Sequence, residues 1–224
     1  MISYRFKPDQ YSSHSKIIKI VQRMNSGMKI LDVGCSTGYL AKMFSDMKND
    51  VWGIESDPNA AKLARVSCKD VVVGDVETAS FKYKNNFFDV IIFADVLEHL
   101  KDPLNVLIKF KKCLKKDGII IASTSNIANL YMRLKLLFGN FEYTDRGILD
   151  KTHLRFFTLK AFKKLMEDAG LKITKTDVTP IPLPMVFPST AKGKPLNFVH
   201  HINYLMTKIL RTLFAFQFIL VVKK

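Results

Sequence analysis

The sequence predicts an α/β fold in which helices cover both faces of a doubly wound, mainly parallel β-sheet. Short apolar runs alternate with amphipathic segments between residues 13 and 123, and this alternation is typical of right-handed β-α-β crossovers. The first predicted strand stops at Asp32, and Gly34 and Gly38 follow it. Ligands of such sheets bind at the carboxyl ends of the strands. The turn after the first strand is therefore the first candidate binding site.

The predicted elements follow one another in a regular order. The strands are predicted at 28–33, 51–55, 71–73, 88–94 and 118–123, and the first two helices at 13–24 and 39–48. Two further helices begin after Asp57-Pro58 and Asp102-Pro103, because Asp is a preferred N-cap and Pro suits the first helical position. A later helix is capped by Thr158.

The turn after the first strand reads Gly-Cys-Ser-Thr-Gly-Tyr-Leu from Gly34 to Leu40. Gly34 allows a tight turn close to a ligand, and Gly38 allows the next helix to begin close to the strand. A P-loop would place Lys and Ser/Thr after its last glycine, and this chain has Tyr39 and Leu40 there. A nucleotide without a polyphosphate fits this loop better.

An acidic residue ends or follows each of the first four predicted strands: Asp32, Glu55, Asp75 and Asp95. Each alone is a common helix cap or turn residue, but four at one sheet edge favour a binding site. A carboxylate after the second strand can accept both hydroxyl protons of a ribose, while Asp75 can accept from an adenine amine beside the Val76 N–H. We therefore expect an adenine nucleoside at this edge.

Four stretches together carry a family resemblance: 31–40 (LDVGCSTGYL), 51–58 (VWGIESDP), 74–77 (GDVE) and 88–103 (FDVIIFADVLEHLKDP). Over residues 28–178 the chain resembles the class I S-adenosylmethionine-dependent methyltransferases, most closely the ubiquinone-biosynthesis-like small-molecule group. The resemblance implies a Rossmann-like seven-stranded sheet with an antiparallel last strand, and 171–178 and 214–222 can supply the final pair. A Pro-rich loop with Pro180, Pro182, Pro184 and Pro188 separates them.

The resemblance also implies S-adenosylmethionine as the cofactor and assigns its contacts. Gly34, Cys35 and Gly38 would form the loop around the methionine part, and Asp32 would order this loop or meet the amino group. Glu55 would hold the ribose diol, and Asp75 and Val76 the adenine. Asp95 would lie between cofactor and acceptor. Ser36 stands where the family often has a glycine.

A nicotinamide-dependent oxidoreductase is the alternative fold-level interpretation. It also uses a glycine-rich turn and an acid about twenty residues later. The dinucleotide-binding motif has its third glycine three residues after Gly38, where this chain has Ala41, and the motif tolerates alanine at that position. The Asp75 motif and the Asp-Val-Leu-Glu-His segment from Asp95 to His99 favour methyl transfer, since an oxidoreductase has no need for them.

Two histidines are candidates for a catalytic base, which a hydroxyl acceptor needs for proton removal. His99 follows the fourth strand, and His153 precedes the helix capped by Thr158. The structural alternatives are a hydrogen bond at a helix start for His99 and a loop-locking contact for His153. We favour His153. N-methylation of a small amine is the alternative reaction, since a neutral amine needs no base.

The acceptor is expected to be a small molecule or a sugar- or lipid-linked intermediate. Residues 127–143 form a predicted amphipathic lid, whose alternative is a helix packed on the core. Nucleic acid is disfavoured: the chain has Ala94-Asp95-Val96-Leu97 where amino-group methylation of bases would need an Asn/Asp-Pro-Pro-aromatic motif, and none of its three cysteines follows proline.

The whole chain is expected to be one domain of 224 residues: a helical cover (1–27), the cofactor-binding core (28–125), the lid or acceptor insert (126–158) and a terminal region (159–224). The cysteines have neither disulfide nor zinc spacing, so we expect no metal and a cytoplasmic monomer or homodimer. The net charge of +15 and a segment without Asp or Glu after Asp177 favour anionic partners. An amphipathic helix at 196–213, with Lys208 and Arg211 opposite its apolar side, predicts peripheral contact with anionic membranes.

Overall fold

A computed structural model describes residues 9–79, 81, 83–183 and 194–224. The strands are β1 (Lys29–Val33), β2 (Asp50–Glu55), β3 (Asp70–Val73), β4 (Phe88–Ala94), β5 (Leu114–Ser125), β6 (Lys172–Thr179) and β7 (Gln217–Lys223). The helices are α1 (Ser13–Gln22), α2 (Tyr39–Asp46), α3 (Pro58–Ala64), α4 (Pro103–Cys113), α5 (Leu130–Leu137), α6 (Leu159–Asp168), α7 (Lys194–Ile209) and α8 (Arg211–Phe214). A 3₁₀ turn covers Leu97–His99.

The seven strands form one sheet in the order β3-β2-β1-β4-β5-β7-β6. Strands β1 to β5 pair in parallel, and β7 is antiparallel to both β5 and β6. This confirms the predicted seven-stranded sheet with an antiparallel last strand. The strand order reverses between β1 and β4, and this point is where ligands of such sheets bind.

Helices cover both faces of the sheet. The central strand β4 has apolar side chains on both of its sides, and these are buried only if helices pack on each face. On one face Val90 and Ile92 belong to a buried cluster with Ile17 of α1 and Phe44 of α2. On the other face Ile91 and Phe93 are buried with residues of α4 and α6, including Phe110, Phe162 and Met166. The sheet edge that carries the strand ends is therefore held rigidly between two apolar layers.

The predicted helix starts are confirmed. Asp57 Oδ1 accepts from the Asn59 N–H at 2.8 Å, and Asp102 Oδ1 accepts from the Asn105 N–H at 3.0 Å. Thr158 Oγ1 accepts from the Ala161 N–H at 3.2 Å. Each cap satisfies an N–H that the helix itself leaves unpaired.

The last strand was predicted wrongly at its start. It begins at Gln217, because Arg211–Phe214 forms the short helix α8 instead. β5 is longer than predicted and carries an irregularity opposite Phe88 and Val90. Pro184 and Pro188 lie outside the described residues, while Pro180 and Pro182 follow β6 directly.

The apolar sides of two helices face solvent. In and after α5, Leu134 and Phe138 are exposed, the latter at 75%, and only Met132 of this helix is buried. Most of the predicted face of the 127–143 segment is thus exposed, while Ile127 packs against the buried Met132, Ile148 and Leu149. In α7, Ile202, Leu205, Met206 and Ile209 are exposed as well. Within the described residues, no helix has the length and apolar character needed to cross a bilayer.

Candidate active site

The turn between β1 and α2 is held in a conformation that favours glycine. Gly34, Ser36 and Gly38 have φ of 71°, 49° and 79°. A Cβ on Gly38 would lie 2.8 Å from the backbone Cα of Ala64, so α2 and α3 approach each other only because this residue has no side chain. Ser36 thus adopts the left-handed conformation expected of the glycine that the resemblance places there.

Glu55, at the end of β2, binds this turn. Its Oε2 accepts from the Ser36 N–H at 2.8 Å, and its Oε1 accepts from the Asp57 N–H at 2.9 Å and from the Ser56 hydroxyl at 3.2 Å. A carboxylate has about four acceptor positions, so one remains for a further donor. Glu55 therefore connects the ends of β1 and β2 at the predicted ribose position.

Asp32 lies behind the turn at the end of β1 and is only 1% exposed. Its Oδ2 is buried and has no hydrogen-bond partner among the described residues. Burial, with a smaller contribution from the nearby Glu55 carboxylate, raises the pKa of Asp32 to about 7. A buried acceptor without a donor is costly, and a cationic ligand group would satisfy it. Two roles were predicted for Asp32: ordering the turn or meeting the amino group. Glu55 already binds the N–H groups of this turn, which favours the second role for Asp32.

Asp75 and Val76 follow β3 at the same edge. Asp75 is exposed, and its Oδ1 accepts from the Glu77 N–H at 2.8 Å. The Val76 side chain is buried in the core cluster that includes residues of α4 and α6. Asp75 Oδ2 carries no hydrogen bond to a described residue and is available to an amine donor.

The Cys35 side chain does not face this edge. It is buried in a small apolar cluster with Ala61, Ala64 and Val71. A hydrogen bond with Cys68, together with burial, raises the pKa of the Cys35 thiol far above its ordinary value. The Cys35 side chain therefore supports the turn from the side of α3 and β3.

Asp95 joins β4 to the two strands beyond it. Its φ is 59°, its Oδ1 accepts from the Ser123 hydroxyl at 2.6 Å, and its Oδ2 accepts from Gln217 Nε2 at 2.7 Å. Sequence reasoning missed both partners. A strained conformation held by three strands fixes this carboxylate in place.

His99 and His153, predicted as alternatives, lie side by side, with ring centroids 4.8 Å apart in an edge-to-face arrangement. The Nδ1 of His153 is 3.0 Å from the carbonyl oxygen of Ile148. Because a carbonyl only accepts, Nδ1 carries the proton, and Nε2 holds the free lone pair in the neutral ring. The Nδ1 of His99 is likewise within 3.2 Å of the Thr152 carbonyl oxygen.

Burial, and secondarily the neighbouring His99, lower the pKa of His153 below the ordinary histidine value of 6.5. The ring is therefore neutral at pH 7 and able to accept a proton. Asp95 and Asp150 lie near enough to oppose this shift in part, so they would also stabilise the protonated ring.

Glu98 is a second site residue whose role sequence reasoning missed. It is fully buried, its Oε2 has no hydrogen-bond partner among the described residues, and burial together with Asp95 raises its pKa well above the ordinary value. Its carbonyl oxygen accepts from the Leu154 and Arg155 N–H groups at 2.8 and 2.9 Å. Glu98 thus attaches the His153 loop to the end of β4.

Tyr39 closes the site on the side of α1. Its hydroxyl is 3.1 Å from His14 Nε2, and burial, followed by the charges of Asp32 and Asp95, raises its pKa well above the ordinary tyrosine value. It therefore lies close to both carboxylates and is neutral at pH 7. The predicted helical cover contacts the site through this pair.

The buried Asp32 predicts how stability changes with pH. The folded protein keeps the Asp32 proton up to about pH 7, whereas the unfolded chain releases it near pH 3.9. The folded state therefore binds more protons in this window, and stability falls as the pH rises, by up to about 1.4 kcal/mol per unit. The raised pKa of Glu98 acts in the same direction.

Urea unfolding followed by the fluorescence of Trp52, the single tryptophan, at about pH 5 and about pH 7 measures this change. Asp32→Asn should reduce the pH dependence of the free energy of unfolding by the contribution of about one proton. Asp117→Asn, at an exposed position, should leave the pH dependence unchanged. A wild-type slope in Asp32→Asn would show that Asp32 is ionised in the folded protein.

The fold and the carboxylates at the strand ends define the class I, Rossmann-like methyltransferase architecture. Two solved S-adenosylmethionine-dependent methyltransferases share it: one from Archaeoglobus fulgidus, 17% identical with a TM-score of 0.63 over 95% of each chain, and one from Mesorhizobium loti, 11% identical with a TM-score of 0.63 over 95% of this chain and 98% of the other.

The chain belongs to the methyltransferase domain family, whose model matches residues 6–176. A ubiquinone biosynthesis O-methyltransferase of Actinobacillus pleuropneumoniae is 30% identical over 178 residues, which cover 74% of this chain and 72% of the relative. An uncharacterized protein of Methanocaldococcus jannaschii is 28% identical over 223 residues, covering 87% and 84%. The protein is an S-adenosylmethionine-dependent methyltransferase, and the oxidoreductase alternative is wrong.

The site residues fit this cofactor. Asp32 provides a buried acceptor that lacks a donor, as the α-ammonium group requires, and Glu55 retains acceptor capacity for a ribose hydroxyl. Asp75 has a free carboxylate oxygen at the predicted adenine position. A Cβ on Gly34 would lie 2.7 Å from the Val96 side chain, so the turn has no room for a larger residue on that side.

Proposed function

We propose that this methyltransferase acts on a hydroxyl group of a small molecule or of a sugar- or lipid-linked intermediate. The observation that carries the proposal is the state of His153: a buried, neutral ring whose Nδ1 is bonded to Ile148 and whose Nε2 is left to accept a proton. A hydroxyl must lose its proton as it attacks, and neutral imidazole is suited to receive it at pH 7.

In this proposal the residues at the strand ends hold S-adenosylmethionine, which supplies an electrophilic methyl group. Asp32 accepts from the ammonium group, Glu55 from the ribose and Asp75 from the adenine amine, while the Val76 backbone N–H donates to an adenine ring nitrogen. Gly34 and Gly38 allow the turn to pass close to the methionine part, and Cys35 packs beneath it. Asp95 borders the acceptor side.

His153 accepts the hydroxyl proton at Nε2, and the Nδ1 hydrogen bond to Ile148 holds the ring in the orientation that this requires. His99 packs edge-to-face against it and limits rotation of the ring. Asp95 and Asp150 favour the protonated ring once it forms. The positive charge that His153 gains on protonation is therefore stabilised by these two carboxylates.

The insert after β5 supports an amphiphilic acceptor. Met132 of α5 packs with Ile148 and Leu149, which places the helix on the same loop that carries His153. The remaining apolar side chains nearby, among them Tyr131 and Phe138, are exposed. An acceptor with an apolar portion would bury this surface while its hydroxyl lies near His153. The O-methyltransferase activity in the name of the relative from A. pleuropneumoniae points the same way.

Contact with a membrane surface remains a prediction. It is supported by the exposure of Ile202, Leu205, Met206 and Ile209 on one side of α7, since an amphipathic helix lies in the headgroup plane with such side chains buried in lipid. A methyltransferase held at that surface would meet lipid-linked acceptors directly.

The release of S-adenosylhomocysteine from matched acceptors tests the proposal. The acceptors share one ring and differ in two ways: hydroxyl against primary amine, and presence against absence of an alkyl tail. We expect turnover with the hydroxyl compounds and a lower KM with the tail, because the tail adds apolar burial. Turnover of the amines alone would replace O-methylation by N-methylation. An equal KM with and without the tail would show that the insert does not bind the acceptor.

A further inference from the structure

A cavity lies between α1, β6 and α7, and none of the residues assigned to the candidate active site lines it. Its volume is about 460 Å³. Its walls carry six cationic side chains, which come from the three elements, from the C-cap of α1 and from α8: Lys16, Lys19, Arg23, Lys175, Lys208 and Arg211. We call it the basic cleft.

The positive charge of the basic cleft is largely uncompensated. Asp177 is the single acidic residue in its lining, and Asp177 already pairs with Lys16 at 2.8 Å. The other five cations form no ion pair with any described residue. Lys208 also contributes to lowering the pKa of Lys16, which burial lowers in the first place, as expected of like charges held close together. A bound anion would relieve this repulsion.

The cleft is fixed by contacts around its floor rather than formed by surface side chains alone. Lys16 is 7% exposed, and its ammonium lies 4.7 Å from the centre of the Tyr204 ring. Tyr11 stacks on Tyr204 at 4.2 Å, and a buried His200–Asp9 contact of 2.9 Å joins the same two segments. α1 and α7 are therefore held in register, and their cations converge without rearrangement.

We propose that the basic cleft is a binding site for phosphate groups. Five uncompensated cations match a multiply charged oxyanion better than a single carboxylate, which would neutralise one of them. Arg23 and Arg211 present planar forks that suit phosphate oxygens, and the lysines supply point charges. An anionic lipid headgroup and a soluble phosphate ester share this chemistry.

Calorimetric titration of the full chain with inorganic pyrophosphate tests the cleft itself. We expect saturable binding at one site that weakens as salt is added. Lys208→Glu/Arg211→Glu should weaken it at least about tenfold. The control Lys112→Glu/Lys116→Glu makes the same change in charge at exposed positions outside the cleft and should bind like the wild type. If charge reversal prevents folding, the milder Lys19→Gln/Lys175→Gln replaces that variant, and it should also bind pyrophosphate more weakly than the wild type.

Sedimentation with phosphatidylcholine vesicles, with and without phosphatidylglycerol, separates the two sources of phosphate. Release from the anionic vesicles by pyrophosphate identifies a lipid headgroup as the ligand. Pyrophosphate binding without vesicle binding identifies a soluble ester. The proposal is overturned if pyrophosphate does not bind saturably, or if the control variant loses as much affinity as the cleft variant. Methyl transfer to soluble acceptors is a separate readout, so neither result decides the proposed function.

Discussion

Substitution of His153 by alanine is expected to lower turnover about 100-fold or more without changing the affinity for S-adenosylhomocysteine. The reason is that Nε2 would accept the proton of the hydroxyl, while no cofactor contact is assigned to this ring. The measurement is steady-state turnover of a hydroxyl acceptor, with cofactor affinity measured separately by calorimetry. His99→Ala in the same assay compares the two rings.

Asparagine at position 153 distinguishes a base from a loop-locking residue. Its side-chain N–H can replace the Nδ1–H donation to the Ile148 carbonyl, but it has no equivalent of Nε2. If His153 is the base, His153→Asn should fold normally and turn over as slowly as His153→Ala. If asparagine restores turnover, His153 acts only by holding the loop.

The pH dependence of turnover gives an independent test of the same residue. Because the pKa of His153 lies below 6.5, the neutral ring predominates at pH 7 and becomes protonated only at lower pH. Turnover should therefore fall as the pH drops through that value. This acid limb should be absent from the residual activity of His153→Asn. An unchanged limb in that variant would assign the titration to another group.

Substitution of Glu55 by alanine is expected to weaken S-adenosylhomocysteine binding by about 1.5 to 3 kcal/mol, the range for hydrogen bonds to charged groups. Two effects combine: the ribose loses its acceptor, and the Ser36 and Asp57 N–H groups lose theirs. Glu55→Gln keeps one acceptor oxygen and should lose less. Glu167→Ala, at an exposed position in α6, is the matched control.

Methylthioadenosine, which contains the adenine and ribose but no amino acid part, separates the contacts. Glu55→Ala should weaken its binding and that of S-adenosylhomocysteine alike. Asp32→Asn should weaken only S-adenosylhomocysteine, because Asp32 is assigned to the ammonium group. If Asp32→Asn weakens the binding of methylthioadenosine and S-adenosylhomocysteine equally, Asp32 does not bind the ammonium group.

The sequence predicted the sheet and the helix starts well, because both have local signals. Asp57-Pro58 and Asp102-Pro103 are chemically specific helix starts, and the apolar run of β4 matched its observed bounds, Phe88–Ala94. The positions of Glu55 and Asp75 at or just after strand ends were predicted in the same way, since a strand end is visible in a single sequence.

The contacts of Asp95 were beyond local patterns. Gln217 and Asp95 are 122 positions apart, and nothing in the sequence around either residue indicates the other. Glu98 stands in a quoted motif, yet its complete burial depends on packing between β4, β5 and the His153 loop. The apolar spacing in 127–143 predicted a helix correctly but not which side would be covered. Periodicity identifies an apolar face without identifying its partner.

The crystal structure of the complex with S-adenosylhomocysteine tests the central claim most directly, because it locates each part of the ligand. We predict the ammonium group at Asp32, the ribose at Glu55 and the adenine at the Asp75 carboxylate and the Val76 backbone N–H, with the sulfur directed toward Asp95 and His153. Density for the ligand in another place, or a sulfur directed away from His153, would contradict the assignment of this site.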